Sequence, residues 1–452
     1  MVARQNRLRI TTMTASLTDT RSAELYRRAL ELIPGGVNSP VRAMGSIGRD
    51  PIFVARGEGA ELVDLDGNRF IDYVCSWGPL IHGHAHPQIV QAVVEAAGRG
   101  TSFGAPTAGE VELAGEVALR MAGVEMLRMT SSGTEASLSA IRLARAATGR
   151  TLILKFAGAY HGHLDGLLAQ AGSGLATQSL PASPGVSAAA AAETVIVPWN
   201  DRDALIEASE RHELAAIIAE PVPANMGLVP PAEGFVELLR ERADATGALL
   251  ILDEVISGFR LARGGAQELM GVTADLSVLG KVLGGGLPAA AVGGRAELMR
   301  MFAPAGEVYQ AGTLSGNPLA VAAGLASLEL LDEPAYLRLA AATERLAEGL
   351  REAAAGYPVQ VVSVPGLLTV FFSEHPVRDF GGAKACDVQA HARWCRELLS
   401  RGVYPPPSQF EAWFPSLAHT PEHLERTLMA AQAAFAALPD PAGVQRAERV
   451  PG

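Results

Sequence analysis

One lysine, Lys281, lies in an apolar, glycine-rich stretch that reads VLGKVLGGGLP. Lysine is rarely buried, because its charged form loses hydration energy in apolar surroundings. An amine held there has a lowered pKa, and its uncharged form suits Schiff-base chemistry. The chain has two other lysines. Lys155 lies inside a strand pattern and Lys384 in a polar stretch, so we predict that Lys281 is the reactive amine.

A strand-end carboxylate precedes this lysine. The stretch GALLILDEVISGFR places Asp253 and Glu254 at the end of a strongly apolar strand pattern. A carboxylate in a buried position needs a partner. The partner could be a metal ion, a basic side chain in a structural ion pair, or the protonated nitrogen of a pyridine ring.

A candidate phosphate site lies where the stretch MLRMTSSGTEASLSAIRLAR changes from a strand pattern to a helix pattern, at Ser131–Thr134. Free backbone N–H groups and the helix dipole at such a start favour an anion, although an ordinary helix cap has the same pattern. The glycines at Gly284–Gly286 lack the spacing of a dinucleotide fingerprint, which disfavours a nicotinamide dehydrogenase. A phosphate loop, a strand-end aspartate and a secluded lysine together indicate a pyridoxal phosphate (PLP) site.

Two histidine-rich stretches, HGHAHP and YHGHLDG, invite a metal interpretation. His82, His84 and His86 alternate in the first, but no cysteine or carboxylate set with metal-ligand spacing accompanies them. We therefore expect no metal. In the second stretch, Tyr160 directly follows a strand pattern and could stack on a cofactor ring.

Short apolar runs alternate with amphipathic helix patterns from about residue 87 onward, which predicts an α/β fold with a mostly parallel sheet covered by helices. A helix pair, further strands and terminal helices then indicate a smaller α+β domain, which the N-terminal segment joins. We predict a mobile tail at 1–20, an N-terminal segment at 21–86, a large cofactor-binding domain at 87–330, a small domain at 331–438 and a frayed tail at 439–452.

Composition limits the class of protein. The 452 residues carry a net charge of −11, which argues against a nucleic-acid surface. No apolar run reaches the roughly 18 residues that span a bilayer. Three widely spaced cysteines predict no disulfide framework. We expect a cytoplasmic protein with a small-molecule substrate and no nucleic-acid or membrane partner.

Five motifs resemble those of the class III, fold type I, PLP-dependent aminotransferases: SSGTEA, YHGH, DEVISGFR, LGKVLGGGLP and GTLSGNP. The resemblance covers the chain from about residue 22 to 438. It implies that Lys281 bonds the cofactor covalently, that Asp253 pairs with the pyridine nitrogen, and that Tyr160 and Val255 enclose the ring. It also implies a phosphate site on Ser132, Gly133 and Thr134, completed by Thr313 of the second subunit of a homodimer.

Four further stretches resemble the aminomutase branch of this family: PGGVNSPVRA, AQAGSGLATQSLPASPGV, YQAGTLSGNP and GVYPPPSQFEAWFPSLAHT. That branch implies intramolecular amino transfer between PLP and pyridoxamine phosphate (PMP) forms, from (S)-4-amino-5-oxopentanoate to the tetrapyrrole precursor 5-aminolevulinate. It also implies a transient contact with the enzyme that supplies the substrate. The implied substrate carboxylate site is Ser39 and Arg42, the pocket lining includes Asn225, Tyr309 and Glu411, and Ser173 belongs to a gating lid.

Other functions remain open at this point: an intermolecular aminotransferase for a β- or ω-amino acid, and a PLP-binding protein without catalysis. The sequence also departs from the family pattern near Ala224 and Leu368. Neither departure affects Lys281, Asp253 or Arg42.

Overall fold

The computed structural model describes residues 17–168 and 183–439. The predicted lid segment around Ser173, residues 1–16 and residues 440–452 lie outside this part of the chain. The strands, in chain order, are β1 (Val54–Glu58), β2 (Glu61–Asp64), β3 (Arg69–Asp72), β4 (Met126–Thr130), β5 (Leu152–Phe156), β6 (Thr194–Val197), β7 (Leu214–Ala219), β8 (Leu249–Asp253), β9 (Leu276–Leu279), β10 (Ala290–Gly294), β11 (Gln360–Val364), β12 (Leu367–Phe371) and β13 (Val403–Tyr404).

Helices make up most of the remaining regular structure. In chain order they are α1 (Thr20–Leu32), α2 (Pro87–Arg99), α3 (Ala108–Arg120), α4 (Gly133–Thr148), α5 (Ala188–Ala192), α6 (Arg202–Arg211), α7 (Phe235–Thr246), α8 (Gly265–Met270), α9 (Ala296–Met299), α10 (Pro318–Glu329), α11 (Glu333–Ala353), α12 (Phe380–Ala385), α13 (Val388–Ser400) and α14 (Pro421–Ala436).

A seven-stranded sheet in the order β4-β10-β9-β8-β7-β5-β6 forms the centre of the molecule. Its strands pair in parallel from β9 to β6. Neighbouring residues of β7 show why apolar runs suit this position: Ile217 packs in one core cluster with Phe235 of α7, and Ile218 packs in another with Ile141 of α4. Both faces of the sheet are thus covered by helices, and the predicted fold class is confirmed.

The sequence pattern did not reveal strand β10, which is antiparallel to both β4 and β9. Its residues, AAVGG, are too small to resemble a buried strand. The structure explains their size, because a Cβ at Gly293 would be 2.7 Å from Val124 and one at Gly294 would be 2.4 Å from the Asp275 carbonyl oxygen. Adjacent segments of the same chain approach these two positions so closely that glycine is required there.

The second region combines both ends of the chain. The order β1-β2-β3-β13 joins N-terminal strands to a C-terminal one, and β11 pairs with β12 in a hairpin. The N-terminal stretch forms three strands, and a tight turn at Gly59 separates β1 from β2. One core cluster contains Phe70, Trp394 and Phe435. The domain boundaries themselves stay a prediction.

No helix within the described ranges is long and apolar enough to cross a membrane. The three cysteines, Cys75, Cys386 and Cys395, are buried and free.

Candidate active site

The carboxyl ends of four strands carry the polar residues of one cavity of about 560 Å³. Lys281 follows β9, Asp253 ends β8, Glu220 follows β7 and Tyr160 follows β5. Parallel strands that lie side by side place their carboxyl ends at one edge of the sheet, which is where open α/β sheets bind ligands. The topology therefore brings together residues that are 121 positions apart in the sequence, from 160 to 281.

Lys281 begins a short 3-10 turn at the end of β9 and has a φ of +48°. This left-handed conformation is unfavourable for an L-residue and directs the amine into the cavity wall. Burial lowers the pKa of Lys281, while the carboxylates of Glu411, Asp253 and Glu220 oppose that shift. The uncharged form of the amine is therefore easier to reach here than on a lysine in water.

The other two lysines lie elsewhere. Lys155 is fully buried in β5, and its ammonium donates hydrogen bonds to the carbonyl oxygens of Ala159 (3.2 Å) and Leu167 (2.8 Å). Burial lowers its pKa to about 7. Lys384 is exposed, with Nζ 4.8 Å from the ring centre of Phe380. Lys281 is the lysine that lines the cavity.

Asp253 is paired with a histidine that sequence reasoning did not assign to the site. Nδ1 of His161 lies 2.7 Å from Oδ2 of Asp253, and Oδ1 accepts a hydrogen bond from the Val255 amide at 3.0 Å. Both side chains are buried. Nε2 of His161 has no hydrogen-bond partner in the described part of the chain. The motif YHGH was visible, but only the fold shows that His161 meets Asp253.

Glu220 was also missed, although it is a strand-end carboxylate of the same kind as Asp253. It accepts hydrogen bonds from the amides of Tyr160 (2.9 Å) and Ala224 (3.0 Å) and from Nδ2 of Asn225 (2.9 Å). Burial raises the pKa of Glu220. The carboxylate joins the loop after β5 to the loop after β7, and so positions Tyr160 and Asn225 in the cavity wall.

The start of α4 forms another wall. Ser132 is the N-cap, in a capping box with Glu135, and Gly133 and Thr134 line the cavity from the first turn. First-turn N–H groups have no acceptor within their own helix. A Cβ at Gly133 would be 3.3 Å from the Val255 side chain. The helix start that was predicted to bind a phosphate therefore lies next to Val255 and faces the same cavity as Lys281.

Several predicted substrate residues are less closely grouped. Ser39 and Glu411 line the cavity, whereas Arg42 is exposed in the 3-10 turn that follows Ser39. Tyr309 and Thr313 are exposed and line two separate grooves outside the cavity. Within one chain, these two residues are therefore not part of the site.

The two departures from the family pattern lie in core clusters. Ala224 lies in the loop after β7 and packs among buried residues, and Leu368 packs in β12. The amide of Leu368 donates to the Trp413 carbonyl oxygen at 3.2 Å. Leu368 does not line the cavity that the described residues form.

Two of the three histidines of HGHAHP, His82 and His84, have hydrogen-bond partners within the described chain. Nε2 of His82 is 2.9 Å from the Ser327 carbonyl oxygen, and Nε2 of His84 is 2.7 Å from Oδ2 of Asp72. Over the residues that the structure describes, no three His, Cys, Asp or Glu side chains are grouped to hold a metal ion.

The cavity fits a phosphorylated pyridine aldehyde. It has an amine of lowered pKa, a carboxylate backed by a histidine, an aromatic side chain and a helix start. The hydroxyl of Ser137 in α4 is buried, lines the cavity and, like Nε2 of His161, has no partner within the described ranges. Buried polar groups of this kind are normally hydrogen-bonded. A polar molecule bound in the cavity would supply hydrogen-bond partners for these two groups.

Comparison with known proteins gives the class. The family model described as "Aminotransferase class-III" matches residues 44–434. Solved structures agree: an omega-transaminase from Sphaerobacter thermophilus has a TM-score of 0.85 at 35% identity, covering 92% of this chain and 97% of that one. The chain belongs to the class III aminotransferases.

Within that class, several similar curated relatives are aminomutases. A glutamate-1-semialdehyde 2,1-aminomutase from Desulforudis audaxviator is 56% identical, covering 92% of this chain and 97% of the relative. One from Thermomicrobium roseum is 53% identical, covering 92% and 98%. The crystal structure of such an aminomutase from Pseudomonas aeruginosa PAO1 has a TM-score of 0.82 at 28% identity, covering 92% and 94%.

Proposed function

We propose that this protein is an isomerase that uses PLP and PMP to convert (S)-4-amino-5-oxopentanoate (glutamate-1-semialdehyde) to 5-aminolevulinate for tetrapyrrole synthesis. The observation that carries the proposal is the cavity in which Lys281 lies with Asp253, His161 and the start of α4. The identity of 51–56% with the aminomutases, over more than 90% of the chain, supports the choice of substrate.

The cofactor, when bound, supplies an electron sink that makes the bonds next to an amino group labile. Lys281 would carry protons to and from the carbon that bears the amino group, since burial lowers the pKa of its amine. Asp253, which His161 contacts at 2.7 Å, would hold the proton on the pyridine nitrogen of the bound cofactor. The first-turn N–H groups at Gly133 and Thr134 would bind its phosphate, and Tyr160 and Val255 would enclose its ring.

An aminomutase must keep its diamine intermediate, 4,5-diaminovalerate, between the two halves of the reaction. A closing segment would slow its escape and exclude water. The segment predicted for this task, with Ser173, lies outside the described residues, so the lid stays a prediction.

The function is tested by turnover on glutamate-1-semialdehyde with no added amino acid. An aminomutase forms 5-aminolevulinate under these conditions over many cycles. An aminotransferase for a β- or ω-amino acid, the activity named for two solved relatives at 35% and 31% identity, requires a second amine and stops after one cycle. A single turnover followed by rescue only with an external amino donor would rule out the aminomutase.

Arg42 is proposed to bind the substrate carboxylate. A planar guanidinium can hold a carboxylate through two parallel hydrogen bonds, which lysine cannot reproduce. Arg42→Lys is expected to raise KM by about tenfold, because a hydrogen bond to a charged group contributes about 1.5–3 kcal/mol. Arg49→Lys is the matched control, since Arg49 lies in the same segment but pairs with Asp19 at 3.0 Å. An unchanged KM for Arg42→Lys would place the carboxylate elsewhere.

A homodimer would explain the position of Thr313. Tyr309 is 70% exposed and Leu314 is 53% exposed, and Thr313 lines a groove with Phe103, which is itself 53% exposed. Exposed apolar groups in one area are typical of an interface. We propose that this surface meets a second copy and that Thr313 completes the phosphate site of that copy.

Subunit mixing tests this arrangement. Lys281→Ala and Thr313→Asp should each be inactive alone, since the added carboxylate repels a phosphate. Mixed dimers should regain activity, because one of their two sites combines an intact Lys281 with an intact Thr313 of the other subunit. If Thr313 acts within its own chain, mixing restores nothing. The cytoplasmic location and the contact with the supplying enzyme stay predictions; the three free cysteines support the location.

A further inference from the structure

A short turn beside Lys281 has an unfavourable backbone. Three consecutive residues that are not glycine have positive φ angles: Cys75 at +43°, Ser76 at +57° and Trp77 at +67°. Gly78 follows at +114°. Side chains disfavour the left-handed region, so a run of this kind persists only where surrounding contacts hold it in place.

The turn forms part of the active site. Trp77 lines the cavity. Gly78 lies so close to the reactive lysine that a Cβ there would be 3.1 Å from Cδ of Lys281 and 2.9 Å from Phe414. The position of the turn therefore limits where the Lys281 side chain can lie.

Asp72, the last residue of β3, binds the N-terminal end of the turn through hydrogen bonds. Its side chain is buried; Oδ1 accepts a hydrogen bond from the Val74 amide at 2.8 Å, and Oδ2 accepts one from the Cys75 amide at 3.1 Å. On the other side, the buried guanidinium of Arg260 donates to the Gly78 carbonyl oxygen at 2.5 Å. Two buried charged groups thus bind the two ends of the strained turn.

A hydrogen bond from His84 fixes the position of the Asp72 side chain. Nε2 of His84 lies 2.7 Å from Oδ2 of Asp72. The histidine is itself anchored to the β1–β2 hairpin, because its backbone exchanges two hydrogen bonds with Gly59, at 2.7 and 3.0 Å. A Cβ at Gly57 would be 2.6 Å from the His84 ring, so the hairpin packs directly on it.

We propose that Asp72 and His84 are positioning residues of the active site, which hold the turn from Cys75 to Gly78 against Lys281 and present Trp77 to the cavity. Neither residue lines the cavity that the described residues form. The pair acts through the turn, from the hairpin to the reactive lysine. The proposal rests on the site assigned above, but not on the identity of its substrate.

Trp77 gives a readout that does not depend on activity. The chain has four tryptophans; Trp199, Trp394 and Trp413 are at most 1% exposed, whereas Trp77 is partly exposed. Quenching of tryptophan fluorescence by iodide in the holoenzyme therefore reports on Trp77, and Trp77→Phe defines the background.

The variants are His84→Leu, which removes the donor, and His84→Gln, whose amide can donate from a position near that of Nε2. We expect His84→Leu to increase iodide quenching and to lower kcat/KM by about tenfold, the effect of losing one hydrogen bond to a charged group. His84→Gln should keep both iodide quenching and kcat/KM close to their wild-type values. Asp72→Asn keeps the side-chain volume but loses the charge, so it should change quenching and kcat/KM in the same way as His84→Leu. It replaces His84→Leu in the test if that variant does not fold.

Asp64→Asn is the matched control. Asp64 is a buried carboxylate of the neighbouring strand that accepts from the amides of Asp66 (3.0 Å) and Asn68 (2.8 Å), in a turn away from the cavity. Its loss should lower stability and leave Trp77 quenching unchanged. The proposal is wrong if His84→Leu and Asp72→Asn leave quenching and kcat/KM unchanged, or if Asp64→Asn alters both equally. A wild-type enzyme inactive on the semialdehyde would instead contradict the proposed function, and the quenching result would still decide this inference.

Discussion

Replacing Lys281 with alanine is expected to lower turnover by about four orders of magnitude or more, because the variant loses both the amine that bonds the cofactor and the group that moves the protons. The cavity lining contains no other lysine among the described residues. Lys155 uses its ammonium to bind two carbonyl oxygens and cannot take over. Cofactor should still bind, without a covalent bond, through the start of α4 and Asp253.

The measurement combines steady-state kinetics with borohydride reduction and peptide mapping of the holoenzyme. In the wild type the pyridoxyl label should lie on Lys281, and in Lys281→Ala no peptide should carry it. Lys384→Ala is the matched control, since that lysine is exposed and should behave as the wild type. A label on Lys155 or Lys384 would show that the reactive amine has been misassigned.

Asp253→Asn is expected to have the next largest effect, a loss of kcat of about 10²- to 10³-fold. The carboxylate faces the cavity at the end of β8, and an amide of the same shape carries no charge to stabilise a protonated ring nitrogen. His161 would then lack its charged partner at 2.7 Å. The loss should appear in kcat more than in KM, because the charge acts on the reacting cofactor and not on the substrate carboxylate.

The absorbance spectrum of the bound cofactor and its pH titration provide the second measurement for this variant. Asp253→Asn should shift that titration, whereas Asp275→Asn should not. Asp275 is a buried carboxylate that directly precedes β9, pairs with Arg240 at 2.8 Å and lies at the opposite edge of the sheet, so its loss should only lower stability. Equal spectra and equal kcat for Asp253→Asn and the wild type would show that the Asp253 charge does not act on the cofactor.

Local pattern was enough to predict the parts of this protein that depend on neighbours in the sequence. The apolar run before Asp253 predicted a buried strand end, and the structure has strand β8 there. The glycine-rich run predicted a secluded amine, and Lys281 is buried just after strand β9. The start of α4 was predicted because a capping serine and the helix that follows are adjacent in the chain. Strand periodicity and helix caps arise within a few residues, so a single sequence contains them.

Only the tertiary structure decided which of these strand ends and helix starts lie together and which residues hold them in position. His161 pairs with Asp253 across 92 residues, Glu220 joins two loops, and β10 is a strand only because β4 and β9 lie on either side of it. The same holds for the turn at Trp77, whose left-handed backbone Cys75, Ser76 and Trp77 all disfavour. Long-range hydrogen bonds and close packing stabilise these features, and their partners are distant in the sequence. For that reason the sequence by itself determined the reactive groups, while the fold determined their geometry.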